Sequence, residues 1–213
     1  MTNSSDVRSM VDALKTLYPD ALCSLPYPKD YELLFAVRLA AQCTDERVNQ
    51  VMPALCKRFP TLEAFAQADP EEVGEYVHSC GFFRAKSRDI VLCAQMLLRD
   101  YGGKVPGTME ELLRLPGVGR KTANLLLGDI YKVPGSVVCD THCIRICGKL
   151  GLSHGKEPEK VEQQLRKILP PEKSNDFCHR LVLFGREICT ARSPKCGQCP
   201  LSPFCLEANP EAK

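Results

Sequence analysis

Leu115-Pro116-Gly117-Val118-Gly119-Arg120-Lys121-Thr122-Ala123 is the stretch on which the reading of this chain turns. Just upstream, Thr108 with Glu111 makes a capping box that starts a short helix through Leu112, Leu113 and Leu115. Pro116-Gly117-Val118-Gly119 ends that helix abruptly. A second one starts at about Arg120 and turns Ala123, Leu126, Leu127 and Ile130 inward. Two glycines two residues apart suit a tight turn whose backbone N–H groups lie bare beside a helix N-terminus. Such a turn can hold a phosphate without touching a base. A plain αα-hairpin explains the same spacing. Lys121 falls in the first turn of the second helix, where the macrodipole disfavours an added positive charge and favours the neutral amine a nucleophile needs. Taken alone, it reads as a solvated surface lysine.

Downstream, Asp140 precedes Thr141-His142-Cys143-Ile144-Arg145-Ile146, where helical periodicity resumes, so it sits at or beside an N-cap. Simple capping accounts for it. Spacing adds a second reading. A helix from Arg120 to Tyr131 is roughly 18 Å long at ~1.5 Å per residue. The extended return over 132–139 spans roughly 26 Å. Asp140 can therefore come back beside Lys121, an amine and a carboxylate at two helix N-termini.

Near the C-terminus, Cys189, Cys196, Cys199 and Cys205 follow the spacing C-x6-C-x2-C-x5-C, with Pro194, Gly197, Pro200 and Pro203 between them. A loop so poor in apolar residues needs a staple, and four thiolates supply one around zinc or an iron–sulfur cluster. Zinc ribbons usually present two separated C-x-x-C knuckles. This run has one, which leans toward iron–sulfur and leaves the metal open. The other nine cysteines read as core filler, although Cys139, Cys143 and Cys147, spaced by four, offer a second candidate site.

The rest of the chain is helical in pattern, and no strand pair is evident. Met1–Tyr18 reads as an amphipathic helix with the stripe Val7, Met10, Val11, Leu14. Pro53 falls inside the pattern Val48, Val51, Met52, Leu55 and predicts a kinked or split helix. Asp69-Pro70-Glu71-Glu72 starts a helix that buries Val73, Tyr76 and Val77 and stops at Gly81. Further helices are expected over 85–101, 158–169 and 175–188. The 213 residues carry a net charge of only +2, so any contact with nucleic acid rests on local basic clusters. Thirteen cysteines, odd in number and scattered, argue for a reducing compartment. No apolar stretch approaches a membrane span, because Arg38 interrupts Leu33–Ala41.

Four stretches together carry a family resemblance: Ala41-Gln42-Cys43-Thr44-Asp45, Leu115–Ala123, Val138-Cys139-Asp140-Thr141-His142, and the four-cysteine run. Over essentially its whole length the sequence resembles the endonuclease III family of helix–hairpin–helix DNA glycosylases. The resemblance implies an all-α, two-lobed protein acting on damaged or abasic double-stranded DNA. A six-helix lobe, about 23–133, would hold the hairpin at 108–131. The second lobe, 1–22 with 134–213, would hold a 4Fe–4S cluster on Cys189, Cys196, Cys199 and Cys205. Lys121 would be the nucleophile and Asp140 the essential carboxylate. DNA contacts would come from Gly117, Val118, Gly119, Arg120 and Thr122, and from Arg192 and Lys195 in the cysteine loop. Gln42 and Phe82 match positions that fill the gap left by a flipped nucleotide. Phe82, Phe184 and Cys139 depart from the residues usual in such relatives. The family's usual activity is removal of oxidised pyrimidines followed by strand cleavage at the abasic site. No dimerisation stripe is evident, so a monomer is expected, and the resemblance implies work on DNA in the bacterial cytoplasm. The nearest rival, the adenine glycosylases that share hairpin, aspartate and cluster, generally lack a lysine at the position of Lys121. A non-catalytic DNA-binding or redox-sensing iron–sulfur protein would need Lys121 and Asp140 to be only a surface charge and a cap.

Overall fold

The computed structural model describes residues 3–21, 23–25 and 28–208. Among these residues it is all helical, and no helix is long and apolar enough to cross a membrane. The chain falls into two compact units. One is drawn from Ser24–Ile130, the other from Met1–Cys23 with Tyr131–Lys213.

The Ser24–Ile130 unit contains α2 (Asp30–Leu39), α3 (Asp45–Arg58), α4 (Leu62–Ala66), α5 (Pro70–Val77), α6 (Phe83–Tyr101), α7 (Met109–Leu112) and α8 (Arg120–Asp129). Among the described residues this unit holds seven α-helices, and α7 is the short helix that the Thr108–Glu111 capping box predicts. Thr44, Thr61, Asp69 and Thr108 each cap the helix that follows with a side-chain oxygen. An aromatic cluster of Tyr31, Phe35, Phe59, Phe65 and Tyr76 joins α2, α3, α4 and α5. The fully buried α6 residues Ile90, Ala94 and Leu97 line the same core. Each such aliphatic side chain contributes on the order of 2 kcal/mol by leaving water.

Several local expectations are corrected. The helix α3 runs through Pro53 without splitting, because Pro53 faces solvent and water can replace the missing hydrogen bond. Tyr76 is half-buried, edge-on to Phe59, rather than fully buried. Leu113 is 43% exposed, since α7 ends at Leu112 and the chain turns before Leu115.

The second unit contains α1 (Ser4–Leu17), α9 (Thr141–Lys149), α10 (Pro158–Ile168) and α11 (Ser174–Glu187). Asn3 caps α1, and Val7, Met10, Val11 and Leu14 are buried as the stripe requires. Met1 and Thr2, included in the expected helix, and Leu22, at the expected lobe boundary, lie outside the described residues. The helix α11 packs on α1 and α9. Its buried Arg180 donates to the carbonyl of Tyr18 at 3.0 Å, fixing the chain as it leaves α1. The segment 132–139 has no regular structure, and residues 136–139 are buried.

Candidate functional site

The hairpin is built from α7, the turn 116–119 and α8. Leu112, Leu115, Val118, Ala123 and Leu126 are buried beneath it. The Thr108 hydroxyl accepts from the Glu111 N–H at 3.3 Å, and the Glu111 carboxylate accepts that hydroxyl's proton at 2.6 Å. Gly117 has φ 72°, a conformation that favours glycine. A Cβ there would lie 2.2 Å from Arg38 Nε and 2.6 Å from Asp89 Oδ2. Arg38 of α2 and Asp89 of α6 form a half-buried ion pair, Nε to Oδ2 at 2.7 Å, directly under the turn. The Cys93 thiol donates to the Pro116 carbonyl at 3.1 Å. Sequence reasoning missed this support. Arg38, Asp89 and Cys93 lie far from the hairpin in the chain, and nothing local marks them.

On the open side, Gly119 is the N-cap of α8 and brings no side chain, so the first-turn N–H groups have no side-chain cap. A Cβ on Gly119 would meet nothing within 4 Å. Lys121 is exposed one residue into α8, Arg120 and Thr122 are half-buried, and Val118 turns its side chain into the core. Any contact from Val118 to a ligand is therefore through its backbone.

Gln42 and Phe82 share an unusual feature. They are two of three non-glycine residues with positive φ among the described residues, at 56° and 47°. Both are exposed, Phe82 by 70%. Left-handed backbone at residues other than glycine persists only where surroundings enforce it, and it collects at functional sites. The segments leading to both residues are bonded to Lys86. Although buried, its ammonium donates to the carbonyls of Leu39 at 2.8 Å and Cys80 at 2.7 Å. The end of α2 before Gln42 and the 3₁₀ turn before Phe82 are thus tied to one charge.

In the other unit, Asp140 caps α9, accepting from the Cys143 N–H at 2.7 Å. That helix is fastened to both ends of the cysteine loop. Arg145 donates to the Cys189 carbonyl at 2.5 Å and approaches its Sγ at 3.5 Å. The Lys149 carbonyl accepts from Leu206, and Lys149 Nζ pairs with Glu207 at 2.7 Å. Gly185 of α11 packs so closely that a Cβ would lie 2.3 Å from His142 Nδ1.

Cys189, Cys196, Cys199 and Cys205 line a single cavity of about 260 Å³. Two 3₁₀ turns, Cys196–Gln198 and Ser202–Phe204, shape the loop, and Lys195 N–H closes it onto Ile188 O at 2.9 Å. Four thiols around one cavity, with no other cysteine lining it, fit a polynuclear iron–sulfur group. Arg192 and Lys195 are exposed on this loop. Cys139, Cys143, Cys147 and Cys178 form a separate buried group, in which hydrogen bonds to the other three thiols hold the Cys143 thiol well above the usual range. Among the described residues, no three or more His, Cys, Asp or Glu side chains are set to hold a single metal ion.

Residues 35–171 match the family model described as HhH-GPD superfamily base excision DNA repair protein. Residues 189–205, the span from first to last loop cysteine, match the iron–sulfur binding domain of endonuclease III. The chain is 44% identical to endonuclease III of Synechocystis sp. over 92% of its own length and 89% of the relative's. The chain belongs to the endonuclease III family. It is a DNA glycosylase and abasic-site lyase, and it carries a 4Fe–4S cluster. Endonuclease III of Escherichia coli is 35% identical, with 95% and 96% of the two chains covered. A trapped endonuclease III–DNA covalent intermediate superposes with a TM-score of 0.91 at 37% identity, all of both chains being covered. A thermostable thymine-DNA glycosylase, 20% identical at a TM-score of 0.84 over 97% of this chain and 98% of that one, shares the fold.

Proposed function

We propose that the protein removes oxidised pyrimidines such as thymine glycol from duplex DNA and then cuts the strand 3′ to the abasic site. The observation that carries this reading is Lys121 itself. It is an exposed amine in the uncapped first turn of the hairpin's second helix, in a member of this family. The N–H groups of that turn, which no side chain caps, take a DNA phosphate and bring the backbone to Lys121. The damaged nucleotide leaves the stack, which costs least where its pairing is already weakened. Gln42 and Phe82, held outward on strained backbone, fill the gap.

The Lys121 amine attacks the sugar C1′ as the bond to the base breaks, and the base departs with the electron pair and takes up a proton as the new nitrogen gives one up. The Asp140 carboxylate stabilises positive charge developing on the sugar. The nitrogen lone pair then opens the sugar ring, the C1′–O4′ bond breaking and O4′ taking up a proton, to give the Schiff base; loss of a proton from C2′ then expels the 3′ phosphate by β-elimination. Asp140 is held for this by its own helix, anchored through Arg145 and Lys149 to the cysteine loop. Cys189, Cys196, Cys199 and Cys205 hold the cluster. When bound, it supplies metal–thiolate ties that fix the loop and the phosphate-facing Arg192 and Lys195. The enzyme works as a monomer in the compartment that holds the genome, the bacterial cytoplasm.

Borohydride trapping on duplexes containing thymine glycol or an abasic site tests this reading. Wild type is expected to give a covalent adduct on both, and Lys121→Ala on neither. An undiminished adduct with Lys121→Ala would remove the lysine from the chemistry.

A further inference from the structure

Cys43 directly follows Gln42, and Cys80 precedes Phe82 by two residues. The two thiols are hydrogen-bond partners in the Ser24–Ile130 unit. Cys43 is half-exposed and Cys80 buried. The charges of Lys86 and Arg47 face Cys80, and Lys86 also faces Cys43. None of this enters the mechanism above. Neither thiol belongs to the cluster loop, and two thiols without further donors suit a covalent pair better than a metal ion.

We propose that Cys43 and Cys80 are a redox couple whose disulfide draws the Gln42 loop onto the Phe82 turn and weakens engagement of damaged DNA. The effect on DNA rests on the reading of Gln42 and Phe82 as gap-filling residues. The accessible Cys43 thiol reacts first, attacking a small-molecule disulfide and releasing one of its halves as a thiol. The Cys80 sulfur then attacks the Cys43 sulfur and releases the second half. Two protein S–H bonds and one small disulfide become one protein disulfide and two small thiols, the protein losing two electrons. Burial pushes the Cys80 thiol up to about 11, which suits it to the resolving role rather than the first attack. Adjacent cationic groups favour the thiolate as it forms.

The mechanical consequence follows from Lys86. Its two carbonyl bonds set the spacing of the two loops while the sulfurs are reduced. Bond formation brings hydrogen-bonded sulfurs to about 2.05 Å, a contraction on the order of 1–2 Å. Gln42 and Phe82 sit one and two residues away on backbone that is already strained. They cannot stay where Lys86 alone places them. Misplacement of this size weakens a positioned constellation by about tenfold or more.

The test treats cluster-replete protein with oxidised glutathione, blocks remaining thiols, and maps disulfides by mass spectrometry. Affinity for an abasic-site duplex and the cluster's visible absorbance are followed in parallel. A linked Cys43–Cys80 peptide pair is expected, with affinity about tenfold lower at unchanged absorbance and recovery in dithiothreitol. Cys43→Ser and Cys80→Ser should each be insensitive to the oxidant. Absence of the linked pair overturns the proposal. So does a linked pair with affinity within about twofold of the reduced protein, or an equal loss in Cys43→Ser. Reduced Gln42→Ala and Phe82→Ala separate the two readings. If both bind like wild type, the gap-filling role fails while the disulfide stands or falls on the peptide map.

Discussion

The hairpin turn at 116–119, with exposed Lys121 just after it, and the cysteine loop at 189–205, with exposed Arg192 and Lys195, are both rich in glycine and proline. They are held in different ways. Beneath the hairpin lie Leu112, Leu115 and Val118, all buried, and the Arg38–Asp89 pair presses directly on Gly117. In the cysteine loop only Leu201 is buried. That loop is kept by two 3₁₀ turns, by contacts to α9, and by the cluster its thiols take. Packing shapes the first element, whereas polar ties and a bound group shape the second. The proposed nucleophile Lys121 is thus mounted on a packed core, and the helix that starts at Asp140 is tied to a loop shaped by polar contacts and a bound group.

The sharpest way to break this contrast is Gly117→Ala. It adds a left-handed penalty to a clash with Arg38 and Asp89, and should destabilise the hairpin unit by on the order of 3 kcal/mol. Hydrogen exchange in α7 and α8 should rise, and affinity for duplex DNA should fall. Unchanged exchange would show that the ion pair moves freely and does not support the turn.

Arg145→Ala addresses the other side. Losing a charged donor to the Cys189 carbonyl should cost about 2 kcal/mol. Hydrogen exchange in α9 should rise and chelators should strip the cluster faster, with α7 and α8 unaffected. A response in the hairpin equal to that in α9 would erase the distinction between the two mountings.

Asp140 separates position from chemistry. Asp140→Ala removes the cap on α9 and should cost about 1 kcal/mol in a denaturant melt, while Asp140→Asn keeps it and should cost only a few tenths. Both should lose glycosylase activity. An active Asp140→Asn enzyme would make the aspartate a cap and nothing more.

The smallest effect is on pH. Burial raises the thiols of Cys56 and Cys80 to about 11 and Cys93 to about 12, from an ordinary value of 9.0. The folded protein holds these protons more tightly than the unfolded chain. Their contribution to stability is therefore complete below about pH 9 and is lost as pH climbs toward 11–12. Melts at pH 8 and pH 10 should differ in that direction, and greater stability at pH 10 would contradict it.

The all-helical fold was legible because periodicity and caps are local. Asp69, Thr108 and Asp140 each announce the helix they start. The hairpin and the cysteine spacing were legible for the same reason, since each motif sits within a few tens of residues. The split that Pro53 offered as one outcome does not occur, because its effect depends on which face of α3 it occupies, and that face is set by packing. Leu113 misled because the turn came sooner than its apolar pattern implied.

By itself, then, the sequence determined the helices, the hairpin, the four loop cysteines, and the identities of Lys121 and Asp140 as candidates. Tertiary structure alone decided what supports them. Arg38 and Asp89 come from α2 and α6 to meet under Gly117, 51 residues apart from one another. Lys86 reaches two carbonyls and ties the Gln42 and Phe82 turns together. Arg145 spans 44 residues to Cys189. The physical reason is common to all three. A charge taken wholly or partly out of water must find its partners wherever the chain brings them, and those partners leave no periodic or local mark in the sequence.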